Sequence, residues 1–578
     1  MDPKSFALRR FARFALAATV ALPLVARGDE RAADAIAPAQ GVAAHGGMVV
    51  AQEARAAQIG AGILKNGGNA IDAAVAVDFA LAVTYPRAGN IGGGGFMVIH
   101  RADGDDTTID YRETAPAAID AKSFLDASGN ADPAKSRDSA LAIGVPGTVA
   151  GLALAEQKYG SGKFTLADLM APAIAMARDG IMITDDTADS LANVRLSRWP
   201  ASAKIFLKDD GTALGPGDRL VQGDLADTLD AIAREGPRGF YAGPVAQKIA
   251  AAVQAAGGVM TADDLNSYQA IERAPVRGSY RGYDIVSMAP PSSGGVNLIE
   301  MLNILEGYDL GGIARANAAQ ALHLMIEAMK RAYADRALFL GDPERVANPV
   351  ALLTSKTYAA HWRAGIDLVR ASTAAAIRAG GVTQPEGRNT THFSVVDRFG
   401  NAVANTYTLN FNYGVGLVAD GAGVLLNNEL DDFAAKAYAP NAYGLVGAEA
   451  NAPGPGKRPL SSMTPTIVLK DGKPFLVTGS PGGSRIITTV LQVIVNVIDR
   501  GMDIAAAVAA PRLHDQWVPD QVYVESGFSD EVIAALQAGG DTIVPQARFT
   551  SANSIMITPD ALVGAADPRT RGALAVGF

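Results

Sequence analysis

The chain of 578 residues contains no cysteine, only six histidines and only three tryptophans. The absence of cysteine excludes disulfide bonds, thiolate nucleophiles and cysteine-based zinc sites. Few residue types therefore remain from which a catalytic nucleophile and its base can be chosen.

Positive charge is also in short supply. Lysine and arginine together number 50 against 59 acidic residues, so the formal net charge is -9, and the isoelectric point is about 5.3. Phosphate binding requires a basic surface, so a nucleic-acid partner is not expected. Apolar residues make up 49% and charged residues 19%, which is typical of a globular protein. The length favours two or more lobes or one large layered domain.

Long apolar runs are lacking except near the N-terminus, where residues 14–26 read FALAATVALPLVA. This run is shorter than the roughly 20 residues of a membrane-spanning helix. Positive residues precede it, namely Lys4, Arg9, Arg10 and Arg13. Together these features predict a signal peptide at residues 1–28, cleaved before Asp29, and export to the periplasm. The alternatives are a buried N-terminal helix, which the clustered charge disfavours, and a twin-arginine signal, which matches weakly.

Hydrophobic periodicity predicts the secondary structure in outline. Residues 140–340 are predicted to be mainly helical. Residues 371–389 are small, polar and aperiodic, which predicts an exposed, mobile linker. The sharpest boundary therefore lies at 389/390, where this linker meets a strand. Helices are predicted at 54–64, 69–83 and 486–500, a glycine loop with a hairpin at 89–113, and strands at 391–397, 402–409, 464–470 and 474–479.

Four consecutive glycines at 92–95 suggest a dinucleotide-binding loop. In such a loop the glycines lead into a helix whose N-terminus holds the phosphates. Here a strand is predicted to follow instead. The sequence therefore argues against a Rossmann-type site.

The segment RNTTHFSVVD, residues 388–397, places two threonines at the start of a predicted strand. If RFGN at 398–401 closes a tight hairpin, Asp397 faces Ala402 and Thr391 faces Thr408. Thr390 then lies close to Thr408 and to the two residues after it. A threonine in a strand is usually only a good strand former.

A second interpretation of these threonines is chemical. A threonine hydroxyl is a weak nucleophile, and one way to activate it is the α-amine of the same residue, available only at the start of a chain. Cleavage between Asn389 and Thr390 would create that arrangement. From these residues alone the structural and the catalytic interpretation both stay open.

Three further segments allow two interpretations each. SPGGSR at 480–485 is either a plain helix start or a source of backbone N–H groups for an oxyanion. KRPLSSMTPT at 457–466 places two hydroxyl groups before a strand. NNELDDF at 427–433 is a solvated turn, a calcium site or a receptor for an ammonium group.

Taken together, these segments resemble the γ-glutamyltranspeptidases, which are N-terminal nucleophile hydrolases. The resemblance spans the predicted mature chain, and its motifs occur in the same order. The strings that carry it are GNIGGGGFM, DYRETAP, GVPGTVAG, APPSSGGV, NTTHFSVVD, NTYTLN, LLNNELDDF, KRPLSSMTPTIV, TGSPGGSRI and AADPR.

The resemblance implies a four-layer αββα fold and a precursor that cleaves itself before Thr390. Residues 29–389 would become a large subunit and residues 390–578 a small subunit of one heterodimer. It also implies transfer of a γ-glutamyl group from glutathione-like donors to water, amino acids or peptides. No cofactor or metal is implied, and no nucleic-acid or membrane partner.

The resemblance further implies roles for individual residues. Thr390 would be the nucleophile and Thr408 its hydrogen-bonding partner. Gly482 and Gly483 would form the oxyanion hole. The donor's α-carboxylate would be bound by Arg112, Ser461 and Ser462, its α-ammonium by Asn410, Glu429 and Asp432, and Tyr443 would cover the pocket. Some bacterial members carry glutamine where this chain has Glu429.

Three alternatives remain. A cephalosporin or glutaryl acylase on the same fold would keep the nucleophile but would not need the ammonium receptor. A capsule poly-γ-glutamate processing enzyme is a more distant possibility. A non-catalytic periplasmic binding protein would explain export but not a linker that ends at Thr390.

Overall fold

The computed structural model describes residues 36–378 and 390–578. The predicted signal peptide and residues 379–389 of the predicted linker lie outside the described residues. The predicted cleavage point is therefore described on its C-terminal side only, from Thr390 onward.

Strands occur along the whole described chain. In chain order they are β1 Gly41–Ala44, β2 Gly47–Ala51, β3 Gly94–His100, β4 Asp106–Asp110, β5 Ile181–Met182, β6 Arg219–Leu220, β7 Ile271–Arg273, β8 Val276–Tyr280, β9 Tyr283–Ser287, β10 Thr391–Asp397, β11 Ala402–Thr408, β12 Val418–Ala419, β13 Val424–Leu425, β14 Thr466–Lys470, β15 Lys473–Thr478, β16 Leu513–His514, β17 Val522–Glu525, β18 Ile543–Gln546, β19 Ser554–Ile557, β20 Leu562–Ala565 and β21 Leu574–Gly577.

Most of these strands form two antiparallel seven-stranded sheets. The first sheet has the order β21-β2-β10-β11-β3-β4-β7, and the second has the order β1-β20-β19-β15-β14-β9-β8. The other strands form small sheets of two or three strands at the periphery.

The α-helices cover the outer faces of the two sheets. They are α1 Ala54–Lys65, α2 Ala70–Thr84, α3 Pro133–Arg137, α4 Thr148–Tyr159, α5 Leu166–Asp179, α6 Asp185–Leu191, α7 Val194–Ser197, α8 Pro200–Phe206, α9 Gly223–Glu235, α10 Arg238–Tyr241, α11 Gly243–Ala255, α12 Ala262–Asn266, α13 Gly294–Leu305, α14 Leu310–Ala316, α15 Ala318–Phe339, α16 Val350–Leu353, α17 Lys356–Ala364, α18 Ala374–Ile377, α19 Arg485–Ile498, α20 Ile504–Ala509 and α21 Asp530–Gly539.

Three apolar clusters define four layers. Between the sheets, Phe96 and Ala404 of the first sheet pack against Val286 and Val477 of the second. The other face of the first sheet packs on a layer that includes α1, α2, α5 and α9. The other face of the second sheet packs on α13, α15 and α19. This is the αββα arrangement, so the predicted fold is confirmed.

Helix α2 shows why the sequence forms this layer. Asn69 caps the helix and, with Asp72, makes reciprocal side-chain to backbone hydrogen bonds at its first turn. Every residue of the helix is buried, because small alanine side chains allow α1 and α5 to approach closely on either side. The predicted helices at 54–64, 69–83 and 486–500 are confirmed within about two residues.

The stretch 140–340 is mainly helical, as predicted, but it also contains the short strands β5 to β9. Strands β8 and β9 form an antiparallel hairpin at the edge of the second sheet, closed by Arg281 and Gly282. The turn places Arg281 at a positive φ of 50°, which only a few non-glycine residues adopt. Because both strands are short, their alternation was hard to recognise within a helical stretch.

The two parts of the chain on either side of Thr390 are interleaved in both sheets. In the first sheet, β10 lies between β2 and β11, and β11 lies beside β3. In the second sheet, β14 pairs with β9 and β20 pairs with β1. Neither part can therefore leave without breaking strand pairs in the middle of a sheet.

The first residues of the predicted linker are held to the body. Ser372 Oγ donates to Glu327 Oε2 at 2.6 Å, and Trp517 Nε1 donates to the carbonyl of Ala374 at 2.9 Å. Arg378 pairs with Asp335 at 2.5 Å. Residues 371–378 thus contain the short helix α18 and contacts with the body, where the sequence predicted an aperiodic linker, and residues 379–389 lie outside the described residues.

The predicted hairpin between β10 and β11 exists, but its register is shifted by one residue. Thr391 faces Tyr407 instead of Thr408, and Val396 faces Ala402. The cause is a loop of three residues, 398–400, in which Gly400 has a φ of 99°. Continued by one residue, the observed register places Thr390 opposite Thr408.

Asp397 closes this loop and ties it to α2. Its buried carboxylate accepts hydrogen bonds from the backbone N–H of Phe399 at 2.8 Å and of Asn401 at 3.0 Å. It also accepts from Asn401 Nδ2 at 2.7 Å and from the N–H of Ala70 at 2.9 Å. One side chain thus sets the register of the hairpin and the position of the helix.

Among the helices of the described chain, none combines the length and apolar character that crossing a bilayer requires.

We expect Asp397→Ala to lower the free energy of unfolding by about 3 kcal/mol, because buried N–H groups would lose their acceptor. The matched control is Asp105→Ala in the neighbouring β3–β4 loop, where the side chain is 80% exposed. This control should stay within about 0.5 kcal/mol of the wild type in urea denaturation. Equal losses in both variants would contradict the role given to Asp397.

Candidate active site

Thr390 lies at the point where the first sheet, the glycine loop and the start of α19 meet. It directly precedes β10 and is only 6% exposed. Two cavities reach it. We call them the inner cavity, which contains Arg112, Asp432 and Tyr443, and the outer cavity, which contains Arg87 and Thr550.

The structure distinguishes the two adjacent threonines. Thr390 lines both cavities, whereas Thr391 lines neither of them in the described chain. Successive residues of a strand face opposite sides of the sheet, so only one of the two can point into the site. The Thr391 hydroxyl is fully buried, and none of the described groups hydrogen-bonds to it.

Thr408 lies opposite Thr390 at the end of β11. Its Oγ1 accepts a hydrogen bond from the backbone N–H of Asn410 at 2.8 Å, which leaves the hydroxyl proton to be donated. Its carbonyl accepts from Asn90 Nδ2 at 2.9 Å. These two contacts fix the strand end on which the predicted partner of the nucleophile sits.

The glycines at 92–95 have a packing role. A Cβ on Gly93 would lie 2.0 Å from the carbonyl oxygen of Thr408, and one on Gly95 would lie 2.4 Å from Tyr407 Cβ. Only glycine permits this approach of one backbone to another. Strand β3 follows the loop, as predicted, so the argument against a dinucleotide site stands.

The predicted site residues come together. The inner cavity has a volume of only about 20 Å³. Gly482 lines the outer cavity, and the other predicted residues line the inner one, namely Arg112, Thr390, Thr408, Asn410, Glu429, Asp432, Tyr443, Ser461, Ser462 and Gly483. Their individual roles stay predictions, but their convergence on Thr390 is an observation.

Arg112 forms the centre of a buried ionic cluster. Its Nη2 pairs with Asp432 Oδ2 at 2.6 Å, and its Nη1 pairs with Glu429. The same Nη1 lies 3.8 Å from Glu113 Oε2. The Nε donates to the carbonyl of Pro459 at 3.0 Å, which holds the guanidinium in place. One cation therefore faces three carboxyl groups.

Burial is the main cause of the pKa shifts in this cluster. Burial raises the pKa of Glu429 to about 7, although Arg112 acts in the opposite direction. Burial, followed by the charge of Glu429, raises the pKa of Glu113 well above its usual value. Burial also raises the pKa of Asp432. The cluster therefore favours the uptake of a further positive charge, either a proton or a cationic group.

One interpretation of the sequence took residues 429–432 to be a solvated turn, and the structure contradicts it. This turn is a short 3₁₀ helix in which Glu429 and Asp431 are buried. Asp431 faces away from Arg112 and accepts hydrogen bonds from Ser136 Oγ at 2.7 Å and from the N–H of Ala442 at 3.1 Å. Only Glu429 and Asp432 are thus available from this turn to a ligand.

Tyr443 forms one wall of the inner cavity. Its hydroxyl hydrogen-bonds to Asn410 at 2.5 Å from Oδ1 and 2.7 Å from the carbonyl oxygen. Its ring lies on Gly483, where an added Cβ would come within 2.4 Å. Asn410 has a φ of 72°, a conformation that asparagine tolerates better than most residues.

The start of α19 lies beside Thr390. The helix begins at Arg485, and the two preceding glycines have φ values of 115° for Gly482 and 59° for Gly483. Backbone N–H groups that precede a helix favour negative charge. This geometry is compatible with the predicted oxyanion hole.

Several residues near the site were not identified from the sequence. Arg336 of α15 donates to Ser293 Oγ at 2.9 Å and to Ser462 Oγ at 3.3 Å. Burial lowers its pKa to about 10. Nothing in the helical pattern distinguishes it, because its partners come from distant segments. Glu113 belongs to the motif DYRETAP, but only the structure shows that it lies beside Glu429.

Metal binding finds no support in residues 36–378 and 390–578. No group of three or more histidine, aspartate or glutamate side chains there is placed to hold an ion.

Comparisons with known proteins agree with this geometry. The family model described as gamma-glutamyltranspeptidase matches residues 56–577. The chain is 50% identical to a glutathione hydrolase proenzyme of Escherichia coli (strain K12), with 98% of this chain and 97% of that protein covered. It is 38% identical to an acylase ACY 1 proenzyme of Pseudomonas sp. (strain V22), over 91% of this chain and 92% of that protein.

Solved structures show the same relationship. A cephalosporin acylase from Bacillus halodurans has a TM-score of 0.80 and 28% identity, covering 93% of this chain and 97% of its own. A Helicobacter pylori gamma-glutamyltranspeptidase has a TM-score of 0.53 and 45% identity, covering 55% of this chain and 90% of its own. With a family model matched over nearly the whole described chain, this protein belongs to the gamma-glutamyltranspeptidase family.

Proposed function

We propose that the chain is the precursor of an enzyme that cleaves itself between Asn389 and Thr390 and then acts on γ-glutamyl compounds. Its donors are glutathione and related molecules, and its acceptors are water, amino acids or short peptides. The E. coli relative at 50% identity is named a glutathione hydrolase proenzyme, which supports both the substrate and the precursor.

One observation carries the choice of substrate: the buried guanidinium of Arg112 is paired with Glu429 and Asp432 in the cavity that Thr390 lines. The head of a γ-glutamyl donor carries an α-carboxylate and an α-ammonium group. The α-carboxylate can bind to the guanidinium of Arg112, and the α-ammonium can bind to the carboxylates of Glu429 and Asp432. Entry of the zwitterion adds no net charge, and it gives both Arg112 and the carboxylates of Glu429 and Asp432 an oppositely charged partner.

Self-cleavage requires no other molecule than water. The Oγ of Thr390 attacks the carbonyl carbon of Asn389, the C–N bond breaks, and the nitrogen becomes the free α-amine of Thr390. Water then hydrolyses the ester, which frees the hydroxyl and leaves a carboxylate on Asn389. In this proposal the hydroxyl of Thr408, which the extended register puts opposite Thr390, donates a hydrogen bond to the attacking oxygen.

Turnover repeats the same chemistry on a donor. The α-amine of Thr390 takes the hydroxyl proton as Oγ attacks the γ-carbonyl, and the oxyanion faces the N–H groups of Gly482 and Gly483. The leaving amine takes up the proton. Water or an acceptor amine then attacks the ester, and the Thr390 hydroxyl is restored.

Self-cleavage divides the precursor into two subunits of a mature, exported enzyme. Residues 29–389 become the large subunit and residues 390–578 the small subunit, held together by the interleaved sheets. The N-terminal residues 1–28 direct export to the periplasm.

An acylase is the second candidate, because an acylase ACY 1 proenzyme and a cephalosporin acylase structure are among the similar proteins. An acylase that acts on glutaryl groups meets no ammonium. Such an enzyme would leave Glu429 and Asp432 buried beside Arg112 without a cationic ligand. The presence of two buried carboxyl groups beside Arg112 therefore favours a donor that carries an ammonium group, which is the γ-glutamyl assignment.

We expect Thr390→Val to remain a single chain, because the attacking oxygen is lost with little change in shape. Thr391→Val is the matched control, since the Thr391 hydroxyl has no partner among the described groups. It should still yield two chains on a denaturing gel, and N-terminal sequencing of the smaller chain should begin at Thr390. Cleavage of the Thr390→Val precursor at this bond would disprove self-processing by Thr390.

We expect the wild type to prefer γ-glutamyl anilide over glutaryl anilide, which lacks only the α-amine. Asp432→Asn should reduce this preference by about one to two decades in kcat/KM, because a charged hydrogen bond is lost. Asp431→Asn should keep the preference, since Asp431 faces Ser136 instead of Arg112. Arg112→Ala is less suitable, because it would leave several buried carboxyl groups unpaired.

Equal turnover of the two anilides by the wild type would refute the γ-glutamyl assignment and favour the acylase. Equal effects of the two aspartate variants would place the ammonium receptor elsewhere.

We expect donor affinity to depend on pH through Glu429, whose pKa lies at about 7. As the pH falls from 8 to 6 this carboxyl group takes up a proton and loses its attraction for the ammonium group. The KM for γ-glutamyl anilide should therefore rise, by up to about tenfold. Glu429→Gln should show a high KM with little pH dependence. A wild-type KM that stays constant over this range would exclude Glu429 as an ionised receptor.

A further inference from the structure

Apart from Thr390 and Gly482, the residues that line the outer cavity have no role in the chemistry described so far. This cavity has a volume of about 210 Å³, roughly ten times that of the inner cavity. Thr390 and Gly482 form its floor, and Arg87, Asn412, Thr550 and Arg569 are among its walls. It therefore opens directly onto the proposed reacting atoms.

The position of the two cavities assigns them opposite ends of the reaction. An acyl carbon bonded to Thr390 carries the glutamyl chain on one side and the departing or attacking amine on the other. The inner cavity holds the ionic cluster for the glutamyl head. The amine component, which is the leaving or the attacking group, is therefore expected to bind in the outer cavity.

The charge of the outer cavity is opposite to that of the inner cavity. Its described lining contains two guanidinium groups, Arg87 and Arg569, and no carboxylate. In the inner cavity a single guanidinium is outnumbered by carboxylates. Asp186, Glu525 and Asp567 pair with these arginines from outside that lining. The surface that the outer cavity presents to a ligand nevertheless carries guanidinium groups and no carboxylate, which favours an anionic ligand group.

Of these two arginines, Arg569 is committed to the protein. Its Nε and Nη2 donate to Glu525, its Nη1 donates to Asp567, and backbone carbonyls take further bonds. Its side chain is only 2% exposed. It helps to set the potential of the cavity but offers little to a ligand.

Arg87 is more accessible than Arg569, and its contacts fix the plane of its guanidinium group. Its guanidinium lies over the Tyr85 ring at 4.3 Å from the ring centre. Its Nη2 donates to the Tyr85 hydroxyl and, at 2.9 Å, to Asp186 Oδ2, and its Nη1 donates to the carbonyl of Asp186 at 3.2 Å. Its side chain is 18% exposed. A guanidinium with a fixed plane suits bidentate binding of a carboxylate.

We propose that Arg87 binds the C-terminal carboxylate of the peptide component in the outer cavity. This rests on the proposed function and identifies the preferred amine component as a short peptide with a free carboxyl end. The same contact serves the dipeptide that leaves glutathione and the dipeptide that attacks the ester. In the second case the acceptor nitrogen bonds to the acyl carbon, the C–Oγ bond breaks, and the nitrogen's proton passes to Oγ through the α-amine.

The test compares ligands that differ only at the carboxyl end. Glutathione ends in a carboxylate and γ-glutamyl anilide does not. Gly-Gly and Gly-Gly amide differ in the same way as acceptors. In Arg87→Gln, the ratio of kcat/KM for glutathione to that for the anilide should fall about tenfold, and the KM for Gly-Gly should rise about tenfold relative to that for Gly-Gly amide.

Arg571→Gln is the matched control. This arginine pairs with Asp189 of the same helix α6 that carries Asp186, but it does not line the outer cavity. Both ratios should keep their wild-type values in this variant. A change of the same size there would attribute the effect to the helix and overturn the role of Arg87.

Asp186→Asn provides a test of opposite sign, which misfolding cannot imitate. It removes the carboxylate that competes for Arg87, so the KM for Gly-Gly should fall several-fold while that for Gly-Gly amide stays constant. Ratios in Arg87→Gln equal to those of the wild type would overturn this inference alone. A wild type that releases no aniline from γ-glutamyl anilide would overturn the proposed function and, with it, this inference.

Discussion

The structure depends on the pairing of β10 with strands on both of its sides. Strand β10 is hydrogen-bonded to β2 and to β11, and β11 in turn is paired with β3. A strand held on both edges cannot slide, so the residue just before it has a fixed position. Thr390 is that residue. The glycine loop, the start of α19 and the acidic turn are all arranged around this one fixed point.

The ionic cluster at Arg112 is the second constraint. Burying charges is costly unless they are paired, and here the guanidinium of Arg112 is shared among three carboxyl groups, with Arg336 acting on Asp432 as a second cation. The raised pKa values of Glu113, Glu429 and Asp432 record that cost. A ligand that brings an ammonium group relieves it. The stability of the ligand-free site and its selectivity therefore have a common physical origin.

Much of this could be predicted from the sequence, because it depends on local patterns. The capping residue Asn69 indicates the start of α2, and the alternation of apolar and polar residues around a glycine-containing turn indicates β10 and β11. The order of motifs gave the fold and the residues near Thr390. What the sequence could not supply was long-range. The register error arose because the loop contains only residues 398–400, with Asn401 hydrogen-bonded to Asp397. Arg336 was missed because Ser293 and Ser462 lie far away in the chain. The edge hairpin of β8 and β9 was too short to stand out.

The interleaving of the two sheets has a consequence for the lifetime of the proposed mature enzyme. Before cleavage, folding is a unimolecular process, since both halves of each sheet belong to one chain. After cleavage, the same strand pairs must form between separate molecules, and their effective concentration falls to the actual concentration of subunits. An unfolded mature molecule would thus rarely return. The half-life of the mature enzyme would then be set by its rate of unfolding instead of by its equilibrium free energy of unfolding.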